Sequence, residues 1–122
     1  MTLPSEAEEQ RALFRWAALA AGAHPELRLL YHVPNEGRRS VVTGRRMKAE
    51  GMKPGVPDIC LPVARGGHHA LYIELKRREG GRVTESQRQW LSDLTDAGNR
   101  AVVCKGWDAA REEIEQYMRG AR

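Results

Sequence analysis

The chain has little of what several large protein classes require. Two cysteines among 122 residues, Cys60 and Cys104, do not make a disulfide framework, although a single bridge between them is possible on sequence alone. Both lie in apolar runs, DICLPV and AVVCK, where a free thiol behaves as a small hydrophobe, so reduced thiols without structural zinc are expected. No apolar run approaches the roughly 18 residues of a membrane span. The N-terminus lacks the basic and apolar regions of a secretory signal, which points to an intracellular, cytoplasmic protein with no membrane association. Repeats, low-complexity tracts and composition shifts are missing as well, so nothing marks a domain boundary.

What is present suits one domain over residues 1–122: 41% apolar and 30% charged residues are ordinary for a globular protein of this length. The net charge of +4 is modest, but it is concentrated. Between Asn35 and Lys53 stand Arg38, Arg39, Arg45, Arg46, Lys48 and Lys53 against only Glu36 and Glu50, and the rest of the chain is balanced. Six cations in one segment are either a solvated loop or a surface that contacts phosphates, the electrostatic footprint of nucleic-acid binding.

Ser5 followed by Glu8 is a capping box, and Leu13, Trp16, Ala17 and Ala20 recur at helical spacing before Gly22. Glu6, Glu9 and Gln10 project on or beside that apolar stripe, whereas Glu8 points away. Leu27 to Val33 reads as a strand, broken by the turn signal Pro34-Asn35-Glu36-Gly37, and TGRRMKAEG reads as a short helix. In VPDICLPV, Ile59, Leu61 and Val63 share one face and Asp58 and Cys60 the other. In ALYIELKR, Leu71, Ile73 and Leu75 oppose Tyr72, Glu74 and Lys76. The short, glycine-containing connection between these runs predicts an antiparallel hairpin that brings Asp58 close to Glu74 and Lys76. Thr84-x-x-Gln87 opens a second helix with Trp90, Leu91 and Leu94 as its buried stripe, Ala101–Cys104 reads as a buried strand, and Asp108 is placed to cap a last helix. The order helix, strand, hairpin, helix, strand, helix predicts an α/β fold, a mixed sheet flanked by helices.

Two carboxylates on converging strands form a hard oxygen-donor set suited to Mg2+ or Mn2+, more so if a carboxylate of the first helix joins them. A lysine two residues along the same strand face can position or deprotonate a water, or offset charge on a phosphate oxygen. The ion would serve as Lewis acid, which makes a phosphodiester hydrolase site. Each signal alone has a plain structural explanation, since Glu-x-Lys is common on solvated strands and aspartate after proline is common in turns. The constellation is what carries weight.

On these residues the chain resembles the PD-(D/E)XK nuclease superfamily and, within it, the virus-type replication-repair nuclease domain (VRR-NUC). The resemblance rests on PNEGRRS, KAEGMKPGVPDICLPV, LYIELKRREGGRVTESQRQW and the Gly98 to Cys104 segment, nearly the whole chain from Ser5 to Tyr117. It implies a restriction-endonuclease-like fold and metal ligation by Asp58, Glu74 and the backbone carbonyl of Leu75. It further implies catalytic roles for Lys76, for Gln87 and for a first-helix glutamate. Glu6 is preferred there, because Gln10 lies one turn behind it, with Glu9 as the alternative. Gln87 also fits the capping box, and one side chain is not expected to serve both purposes easily. The resemblance implies a metal-dependent DNA endonuclease of phage or prophage type, homodimeric, acting on branched or duplex DNA without a small-molecule cofactor. A non-cleaving DNA-structure-binding module or accessory subunit is the alternative. Arg38, Arg39, Arg45, Arg46, Lys48 and Lys53 are the candidate phosphate contacts.

Overall fold

The computed structural model describes residues 2–34 and 41–120. Helix α1 spans Glu6–Ala20 and starts as a full capping box: Ser5 Oγ accepts from Glu8 N–H at 3.1 Å, and Glu8 Oε1 accepts from Ser5 N–H at 2.7 Å. Its inward stripe buries Leu13 and Ala17 and, with them, Glu9. A 3-10 turn over Pro25–Leu29 follows, and only Tyr31–His32 then run as strand β1. The strand expected from Leu27 is shorter than its apolar pattern suggests, because proline at the first position of the turn fixes a helical φ. Leu27 is buried from that turn and Leu30 from the residue after it. The basic segment supplies α2, Val41–Ala49, as expected.

Strands β2 (Ile59–Leu61), β3 (Leu71–Lys76) and β4 (Arg100–Lys105) complete a sheet of order β1-β2-β3-β4. The first two pairings are antiparallel and the last is parallel, which gives the mixed sheet. The expected hairpin forms between β2 and β3. At its tip Arg65 and His68 exchange backbone hydrogen bonds of 3.1 and 2.8 Å around Gly66 and Gly67, both at positive φ as a tight two-residue turn requires. The register pairs Ile59 with Ile73, so Asp58, one residue back, falls beside Glu74.

Ile59, Leu61, Leu71, Ile73 and Leu75 are buried on one face of this sheet against Leu13 and Ala17 of α1 and Ala110, Ile114 and Tyr117 of α4 (Trp107–Met118). The Tyr117 hydroxyl donates to the Val63 carbonyl at 2.6 Å, satisfying the polar end of a buried ring. Helix α3, Glu85–Asp96, packs against β4. Here two expectations need correction. Trp90, Leu91 and Leu94 are half-buried, and no residue of α3 is fully buried. In β4, Cys104 is buried but Val103 is 36% exposed. The cause is shared: β4 is an outer strand, and a helix lying along it covers its own stripe and the strand's second face only in part. Cys60 and Cys104 are both buried, and neither takes part in a disulfide.

The start of α4 differs from its expected form too. Gly106 is the N-cap residue and makes no side-chain cap bond; Asp108 sits within the first turn, where Arg78 pairs with it at 2.9 Å. The capping acceptor comes from far away in sequence, since Trp107 N–H donates to Glu9 Oε1 at 3.0 Å. The same Glu9 carboxylate accepts from Arg78 Nε at 2.9 Å. One buried glutamate therefore ties α1 to the end of β3 and the start of α4.

Candidate active site

The hairpin brings Asp58, Glu74 and Lys76 together. Glu74 is 1% exposed and Lys76 7%, whereas Asp58, just ahead of β2, is half-buried. Asp58 Oδ2 accepts from the Leu75 backbone N–H at 3.0 Å, which fixes the carboxylate beside β3. Lys76 Nζ lies 3.4 Å from Glu74 Oε2. That oxygen also accepts from Gln87 Nε2 at 3.1 Å. The other oxygen, Glu74 Oε1, is buried and has no hydrogen-bond partner among the described residues. Leaving such an acceptor bare costs more than a typical hydrogen bond returns, so a proton shared with Asp58 or a bound cation has to satisfy it.

Gln87 makes the capping-box bond and, contrary to expectation, reaches Glu74 with the same side chain. Its Oε1 accepts from Thr84 N–H at 2.8 Å as the capping box requires, and its Nε2 turns outward to Glu74. An amide has an acceptor at one end and a donor at the other, so the two bonds do not compete. The start of α3 is held close to the site by the loop before Asp58. Gly55 lies at φ +89, and a Cβ there would meet the Ser86 backbone at 2.7 Å, so only glycine permits this approach.

Electrostatics sharpen the picture. Burial, followed by repulsion from the Asp58 charge and by a side-chain hydrogen bond shared with Asp58, pushes the Glu74 carboxyl up to about 8, with Lys76 opposing the shift. Burial likewise raises Asp58, against its hydrogen bonds and the nearby Lys76 and His32. Glu6 is raised by partial burial, although Lys76 draws it down. These carboxyls crowd one cavity of about 440 Å3, lined by Glu6, Ala7, Gln10, His32, Asp58, Glu74 and Gln87.

Glu6 thus stands on the wall of the cavity, whereas Glu9, the alternative, is committed to Arg78 and Trp107 outside it. His32 is a site residue that sequence reasoning missed, and a lone histidine in a strand of two residues offers no pattern that would have found it. Among the described residues no three side chains of the metal-binding type converge closely enough to grip an ion as they stand. The donor set is two carboxylates, one with a bare oxygen, beside the Leu75 peptide. That set fits a hard divalent cation, which would supply the partner Glu74 Oε1 lacks and relieve the carboxylate repulsion. Of the basic segment, Arg45, Arg46, Lys48 and Lys53 are exposed, while Arg38 and Arg39 lie outside the described residues. No helix among the described residues is long and apolar enough to cross a membrane.

Comparison with known proteins agrees with the fold. Among curated proteins none matches. A solved structure, described as a VRR_NUC domain protein, is similar with a TM-score of 0.77 at 26% sequence identity, over 98% of this chain and 92% of that one. Its likeness accords with a restriction-endonuclease-like fold. The family model described as the VRR-NUC domain matches residues 4–108, most of the chain including the hairpin, Gln87 and both ends of the Glu9 tie, and the chain belongs to this family of nuclease-type domains.

Proposed function

We propose that the chain, as one nuclease domain, is a Mg2+- or Mn2+-dependent endonuclease that hydrolyses phosphodiester bonds in branched or duplex DNA. The observation that carries this reading is the bare, buried Glu74 Oε1 beside Asp58, in a cavity whose carboxyls are all raised. Asp58, Glu74 and the Leu75 carbonyl are the groups that would hold the ion. When bound, the ion supplies Lewis acidity toward the phosphoryl oxygen and a lowered pKa for water.

The chain's own residues carry the remaining roles. Gln87 clamps Glu74 Oε2 and leaves Oε1 for ligation. Lys76, buried and held by Glu74, presents its ammonium to a phosphate oxygen or to the attacking water. Glu6, on the wall of the same cavity, approaches from α1 and orients that water. Arg45, Arg46, Lys48 and Lys53, with Arg38 and Arg39, hold the DNA backbone and confer affinity rather than sequence choice. A homodimer would present two such sites to a two-fold substrate. A phage or prophage setting and the host cytoplasm complete the reading.

Lys76→Ala tests it. The variant should lose Mn2+-dependent cleavage by at least about 100-fold while DNA affinity, read by anisotropy, stays near that of the wild type. Equal cleavage by both proteins would remove Lys76 from the chemistry.

A further inference from the structure

A second recess of about 220 Å3 opens next to the carboxylate cavity and shares two lining residues with it, Gln10 and His32. Its other walls are Arg11 and Phe14, the only phenylalanine of the chain. Gln10 and Phe14 are one helical turn apart on α1, so they line one flank, and His32 faces them from β1. Phe14 is half-buried: it packs against the core cluster and also borders the recess.

This lining has a definite chemistry. An aromatic ring and an imidazole offer stacking faces, an amide offers one donor and one acceptor, and an exposed guanidinium offers donors and a planar face. Such a combination suits a planar heterocycle carrying hydrogen-bonding edges, as in proteins that stack bases on aromatic side chains without reading sequence. The neighbour across Gln10 and His32 is the site at which a phosphodiester would be cut. A base stacked within a duplex cannot enter such a recess; an unpaired or extruded one can, at little or no unstacking cost.

Resting on the nuclease reading, we propose that this recess binds the base of an unpaired nucleotide next to the scissile phosphate, with Phe14 as its stacking platform and Gln10 at its edge. The recess then supplies a preference for single-stranded nucleotides at the cut, independent of the phosphate contacts made by the basic segment.

The probe is a duplex with a short single-stranded flap, carrying 2-aminopurine in turn at each unpaired nucleotide and bound in Ca2+ to the full chain. Stacking quenches 2-aminopurine, so wild type should quench it at one flap position. Phe14→Leu, which keeps an apolar side chain toward the core, should lose that quenching and bind the flap about 5- to 100-fold more weakly, whereas Phe14→Trp should restore both. Circular dichroism verifies that the variants fold. Equal quenching and equal affinity in wild type and Phe14→Leu would overturn the proposal. Cleavage of the same DNA in Mn2+ reads the nuclease separately. Cleavage without a Phe14-dependent signal would sink the base site alone, the signal without cleavage would sink the nuclease reading alone, and no binding at all would sink both.

Discussion

Glu74→Gln is the perturbation that isolates the strain in the carboxylate pair. The Glu74 carboxyl sits at about 8 in the fold against an ordinary 4.5. Because the folded value is the higher one, the folded protein holds this proton longer than the unfolded chain as pH rises. The associated stability is fully present below about 4.5 and is lost as pH climbs through about 8. At about 1.4 kcal/mol per pH unit the ceiling is near 5 kcal/mol. Lys76 loses an ionic partner in the variant, and the Asp58 carboxyl relaxes within the wild-type pair, so about 2 kcal/mol is the expected gain. The amide retains shape and can still accept from Gln87. In EDTA at pH 8, Glu74→Gln should therefore melt about 8 °C above wild type, and the difference should close toward pH 5. Adding Mn2+ should raise the Tm of wild type but not of the variant, reversing the order. A variant less stable than wild type at pH 8, or an offset that ignores pH, would refute the argument that burial and the Asp58 charge hold a proton on Glu74 that a cation would replace.

Two further predictions concern the frame and the DNA surface. Glu9→Ala removes the buried acceptor for Trp107 N–H and leaves a cavity between α1 and α4, and should cost about 3 kcal/mol in urea denaturation, whereas Glu8→Ala on the exposed side of the same turn should cost far less. Replacing Arg45 and Arg46 with glutamine should lower the slope of log affinity against log salt by about 2, and an unchanged slope would take α2 out of the interface.

Much of the site could be read along the chain because its geometry is local. Strand parity alone puts Glu74 and Lys76 on one face, and Asp58 on the face away from Ile59 and Leu61; the hairpin between them follows from a turn that glycines must make. Thr84 and Gln87 announce their own box. What was hidden depends on partners remote in sequence. Glu6 and Glu9 lie three residues apart on one helix, and periodicity places both near the apolar stripe. Only Arg78, 69 residues from Glu9, and the Trp107 amide decide which of them turns away from the cavity. The second bond of Gln87 reaches across to β3, and His32 gains its place from a β1 pairing two residues long. The half-covered stripe of α3 reflects the position of β4 at the side of the sheet, a property of topology rather than of any pattern in ESQRQWLSDLTD.

The most direct measurement is cleavage of a panel of labelled DNA by the purified chain in Mn2+ and Mg2+: duplex, nicked, flapped and four-way-junction substrates, each with an EDTA control. The nuclease reading predicts metal-dependent cuts within at least one branched or duplex substrate. Panels left uncut in both metals, under conditions where anisotropy shows the DNA bound, would contradict it and leave a protein that binds DNA structure without cutting.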